Sequence, residues 1–78
     1  MRANVLGVQE VDFVTEDGLH IQGKNIYVSF KNRMVDGLKT NKFFISSSFK
    51  DIYDLIVPEV DLDVDFNEKG RIENIDIV

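Results

Sequence analysis

One histidine, no cysteine and no tryptophan leave this chain of 78 residues with few groups able to act as nucleophile or general base. His20 stands next to the acidic pair Glu16 and Asp17, a setting that suggests a base. With no serine or cysteine nucleophile nearby, a lone imidazole at a turn reads as a solvated turn residue, and no enzyme is expected. A calcium loop is the other arrangement to weigh. Asp65, Asn67, Gly70, Ile72 and Asp76 fall at positions 1, 3, 6, 8 and 12 of an EF-hand loop, with Glu73 at position 9. Lys69 occupies the fifth position, where an oxygen ligand belongs, Asp76 is shorter than the bidentate glutamate, and a strand pattern precedes the loop where a helix is needed. Neither metal nor cofactor is expected.

Charge is the stronger signal. The net charge is −5, but its distribution is uneven. Between Lys24 and Lys50 six cations (Lys24, Lys31, Arg33, Lys39, Lys42 and Lys50) face one acid, Asp36, a net of +5. Elsewhere three cations meet thirteen acids, a net of −10. A basic middle of this kind is either a solvated face or the footprint of a polyanion, which local clustering reveals better than the overall sum does.

The elements that must position these groups are mostly strands. Val5 to Thr15 is rich in β-branched and aromatic residues, and a change of phase around Gln9 predicts a bulge or bend. Glu16-Asp17-Gly18 signals a turn, after which Ile26, Val28 and Phe30 alternate with Asn25, Tyr27, Ser29 and Lys31. Residues 32–41 read as a polar loop and Lys42–Ser46 as a third strand with one phenylalanine, Phe44, facing out. Ser48 followed by Asp51 resembles a capping box, and Phe49, Ile52, Tyr53 and Ile56 at helical spacing predict a two-turn helix closed by Pro58. Val60, Leu62, Val64 and Phe66 alternate with Asp61, Asp63 and Asp65, and Asn67–Gly70 links that strand to a last one, Arg71–Val78. Five strands with a helix between the third and fourth give an all-β expectation, a small OB-fold-like barrel formed by residues 1–78 as one domain. The structural alternative is an antiparallel meander with a covering helix.

The run Phe13, Thr15, Gly18, Gln22, Gly23 and Lys24, written FVTEDGLHIQGK, resembles the F-x-T-x-x-G-x-x-x-Q-G-K hairpin of the single-stranded-DNA-binding, helix-destabilising proteins of filamentous phages and related mobile elements. The closing GRIENIDIV is similar to that family's last strand. The resemblance implies a short OB-fold homodimer that coats single-stranded DNA. Gly18 and Gly23 are also what any hairpin needs for a turn and for a bulge or close backbone approach. Where the family tends to place arginines on the hairpin, this chain has Glu16 and Ile21, with Asp17 adding negative charge. If the function carries over, binding passes to Lys24, Lys31, Arg33, Lys39 and Lys42, with Tyr27 and Phe44 in the outward phase as stacking rings. Rings for bases beside cations for the backbone are the chemistry of sequence-tolerant single-strand binding. Tyr27 serves equally as a half-buried ring at a dimer interface, and Phe44 as core on the second sheet face.

A chain this short has a modest core, and oligomerisation is the staple left to it in the absence of cysteine. No membrane span or signal peptide is expected, because Phe43–Phe49 is far below the roughly 18 uncharged residues a span needs. Reducing cytoplasm is the expected compartment. A reading from a different class is an acidic interaction module or DNA mimic using Asp61, Asp63 and Asp65, although carboxylates on one strand also keep an edge from aggregating.

Overall fold

The computed structural model describes residues 1–78. Five strands, β1 (Arg2–Val14), β2 (His20–Lys31), β3 (Leu38–Ser46), β4 (Asp61–Phe66) and β5 (Ile72–Ile77), form one antiparallel sheet in the order β3-β2-β1-β4-β5. The two-residue period sorts the side chains. Ala3, Val5, Ile26, Val28, Ile45, Leu62, Val64 and Ile75 share the inner face and, with Ile56, make the core. The alternation in β4 does what its sequence implies: Leu62 and Val64 are buried, and Asp61, Asp63 and Asp65 are exposed.

The sheet is curled. Side chains stand roughly perpendicular to a sheet, so rings on strands separated by two others do not meet across a flat one. Phe43 of β3 and Phe66 of β4 nevertheless have ring centroids 5.4 Å apart, which requires the β3 side to bend over toward the far end of β4. No helix is long and apolar enough to cross a membrane.

β1 and β2 are longer than their apolar runs suggested, and together they form a hairpin that reaches well past the core. Thr15 and Leu19 close its turn with Gly18 at φ +86°, a conformation that suits glycine. The expected irregularity in β1 lies at Leu6: Val5 pairs with Val28 and Gly7 with Tyr27, leaving Leu6 as an extra, exposed residue. Around Gln9 the strand keeps its phase. The apparent change arises because Val8 packs against the core while Val11 and Phe13 lie on the outer face of the projecting hairpin. β3 begins at Leu38, four residues before the run that marked it.

The two-turn helix is not formed. Residues 47–52 make successive turns and only Tyr53–Leu55 forms a single 3-10 turn. Two causes are visible. The one helical turn starts after Ile52 with no side-chain cap, since no backbone N–H donates to Ser48 Oγ, and an isolated helix of two turns is far below the length that sustains itself. The apolar spacing instead buries Ile56 and half-buries Phe49, Ile52 and Tyr53 against the sheet through consecutive turns.

Lys24 holds this connection down. It is 6% exposed. Its Nζ donates to the Tyr53 carbonyl at 2.7 Å and the Ile56 carbonyl at 3.4 Å, and lies 4.4 Å from the centre of the Tyr53 ring. Further on, Pro58 and Glu59 (φ 79°) turn the chain into β4, and Val5 receives both ends of the turn: its carbonyl accepts from Glu59 N at 2.7 Å and its N–H donates to Val60 O at 2.9 Å.

Replacing Lys24 with Met keeps the aliphatic stem and removes the donor, leaving the Ile56 carbonyl without this partner and the Tyr53 carbonyl with only the Ile56 N–H at 3.4 Å. The expected cost is about 1–3 kcal/mol of stability, read as a lower urea midpoint with unchanged slope. An unchanged midpoint would show that the ammonium does not hold the connection.

Candidate functional site

Because paired residues share a face, register lays out the outer surface of β1, β2 and β3 row by row. Lys42, Tyr27 and Gly7 form one row, and Phe44, Asn25 and Gln9 the next. Tyr27 is 42% exposed and Phe44 is 44% exposed. Each ring lies toward a glycine. A Cβ on Gly7 would meet the Tyr27 ring at 3.9 Å. One on Gly23 would stand 2.5 Å from the Phe44 ring and 2.4 Å from the Ile45 carbonyl. Gly23 is therefore required by close approach, as the hairpin pattern implied, and its missing side chain is what lets Phe44 lie down. Tyr27 Oη donates to Gln9 Oε1 at 3.4 Å, steadying the ring while leaving one side open.

The structure brings Tyr27, Phe44, Lys42 and Lys31 onto this one face, Lys31 opposite Leu38 at the far end of the row series. Arg33 follows in the β2–β3 loop, where Asn32 Oδ1 accepts from Met34 N at 2.9 Å and Gly37 takes φ +96°. Lys31, Asn32, Arg33, Gly37 and Leu38 line a shallow depression there. Lys39 pairs with Phe30 and so belongs to the opposite phase, exposed at the start of β3. The molecule's two ion pairs, Met1–Asp63 and His20–Asp12, involve none of these cations, which leaves their charge open to solvent.

Lys24 needs correction. Assigned to the binding surface on its charge and its place in the Gln-Gly-Lys run, it points inward and spends its donors on Tyr53 and Ile56. It cannot reach a phosphate. Asn25, which charge and aromaticity do not single out, sits in the outward phase of β2 in the same row as Phe44 and one row from Tyr27. The same alternation that selected Tyr27 carried that signal.

His20 is paired with Asp12 at 2.5 Å across the hairpin, whereas its sequence neighbours Glu16 and Asp17 belong to the turn. Nearby on the inner face, burial first and the Glu10 carboxylate second push the Tyr53 phenol above its ordinary range. At the start of the β4–β5 turn, Asn67 Oδ1 accepts from Lys69 N at 2.9 Å and Arg71 N at 3.0 Å, the local bonding of a hairpin turn. On the outer face of β4, Asp61 accepts from Asn4 Nδ2 at 2.9 Å, and Asp63 lies between Arg2 of β1 and Asp76 of β5.

Fold and face define a small all-β protein with an exposed patch of rings and cations on one side of its sheet. A scan against protein-family models and searches of curated proteins and of solved structures found no match to this chain.

The hairpin turn makes its own prediction. The Thr15 hydroxyl donates to Asp17 and holds its carboxyl below the ordinary aspartate value, keeping the turn negative in mild acid. Since the folded value is the depressed one, this contribution is present at neutral pH and is lost as pH falls through the folded pKa. NMR titration should find Asp17 ionising at lower pH than in Thr15→Val, where the carboxyl returns toward its ordinary value. Identical titrations would remove the hydroxyl as the cause.

Proposed function

We propose that this protein binds single-stranded DNA with little sequence preference, coating it as a homodimer in the replication or transfer of a phage, plasmid or other mobile element. The observation that carries the reading is the outer face of β2 and β3, where Tyr27 and Phe44 lie exposed with Lys42 beside them and Lys31 and Arg33 beyond. Rings that every base can stack on, next to cations that neutralise the backbone, bind single strands and discriminate against stacked duplex. The hairpin's likeness to the helix-destabilising phage proteins supports the same reading. So does the strand order, which is that of an OB barrel opened along a β3–β5 seam, with the proposed surface on its second and third strands. The role is binding without turnover, in the cytoplasm.

With Lys24 withdrawn, the cations available are Lys31, Arg33, Lys39 and Lys42. Fluorescence anisotropy should show oligo-dT bound in preference to equal-length duplex, with a log-log salt slope of about −2 to −3 at roughly 0.7 per contact. Tyr27→Ala should cost about 1–3 kcal/mol of binding and leave the slope alone, whereas Lys42→Ala should flatten it by about 0.7. Asp63→Lys, on the opposite half of the sheet, is the control. Wild-type affinity in both Tyr27→Ala and Lys42→Ala, or equal binding to single strand and duplex, sinks the proposal. Asp63→Lys abolishing a protein interaction instead would favour the acidic-module reading.

Only 12 of 78 residues are buried, which leaves a thin core for a lone chain. In 0.5 M salt the smallest species should sediment at twice the 9.0 kDa chain mass; a monomer there would remove the homodimer from the proposal.

A further inference from the structure

The two ends of β2 carry opposite charge around exposed apolar side chains. At the hairpin end Phe13, on the outer face, and Val14 and Leu19 are exposed, with Glu16 and Asp17 in the turn and Glu10 and Asp12 on the opposite face making this end acidic; His20 is already engaged by Asp12. At the other end Met34, 91% exposed, and Leu38 stand among Lys31, Arg33, Lys39 and Lys42 against the single acid Asp36, a net of +3. The hairpin protrudes beyond the core, and the β2–β3 end carries the shallow depression that Lys31, Arg33 and Leu38 help to line.

A partner for the hairpin must therefore be basic and offer an exposed apolar contact. A second hairpin fails, since it would set four carboxylates against four. The chain's own basic end also fails, because a 12-residue strand holds the two ends about 40 Å apart at roughly 3.3 Å per residue. We propose that the acidic β1–β2 hairpin of one copy seats on the basic β2–β3 end of another, joining copies head to tail. Such a contact uses different patches on the two partners, so it does not close on itself and extends into a chain of copies. The proposal stands apart from DNA binding, although both draw on Lys31 and Arg33, and its test contains no nucleic acid.

Sedimentation velocity over a concentration series, in about 0.1 M and in 1 M salt, reads the contact directly, because the screening length falls from about 10 to 3 Å between them. At low salt the weight-average mass should rise with concentration to at least twice its high-salt value. Phe13→Ser/Leu19→Ser and Lys31→Glu/Arg33→Glu should each abolish the rise, with circular dichroism showing both folded. An equimolar mixture of the two should be heavier than either alone, since each keeps the half the other lacks. Adding Glu16→Lys/Asp17→Lys to Lys31→Glu/Arg33→Glu in one chain should restore association with the charges exchanged. No low-salt rise in the wild type, Lys31→Glu/Arg33→Glu alone associating like the wild type, or a mixture no heavier than its components would each overturn the proposal.

Discussion

The antiparallel pairing of β2 with a strand on each side is the constraint on which the rest of the structure depends. Register with β1 and β3 fixes at once that Ile26 and Val28 face inward and that Tyr27 and Lys31 face outward. A slip of one residue in either pair would exchange the two sets, burying a tyrosine and a lysine and exposing the centre of the core. Gly23 refines this arrangement. Its missing Cβ lets the Phe44 ring lie against the sheet, so aromatic surface is presented on a rigid support instead of on loops.

Lys24 shows how a polar side chain can hold together a fold with a thin core. The connection between β3 and β4 has no helix long enough to satisfy its own carbonyls, and two of them are met by an ammonium rising from the middle of the sheet. Burying a charge is costly unless it is hydrogen-bonded, and here both carbonyl oxygens and the Tyr53 ring surround it. The same contact ties Ile56 into the core. A residue whose sign suggested a ligand thus serves the fold, and the cationic surface is smaller than the count of lysines implied.

Charge is distributed by element. β4 and β5 present Asp61, Asp63, Asp65 and Asp76 outward, the β1–β2 hairpin adds four more acids, and the cations gather at the β2–β3 end. Asp63 directly opposite Asp76 is an unfavourable pair, offset on its other side by Arg2 and by the amino terminus 3.4 Å away. The acids beyond β1 oppose any polyanion across most of the surface, which confines the proposed DNA contact to one face.

Where residues repeat with a period of two, the sequence alone determined the outcome. The alternations in β2 and β4 and the Gly18 turn follow from local sterics and from apolar burial, and both act on neighbours along the chain, whereas the alternation left Phe44 open between solvent and core. The spacing of Phe49, Ile52, Tyr53 and Ile56 correctly marked a buried side but not a helix, because successive turns produce the same spacing and the choice rests on capping and length. The position of the bulge at Leu6, the pairing of His20 with Asp12 and the burial of Lys24 were decided only by tertiary structure. Each depends on which residue of a distant segment comes opposite. That is set when strands register and the connection folds over them, and nothing within a few residues of Lys24 records that Tyr53 and Ile56 will present their carbonyls to it.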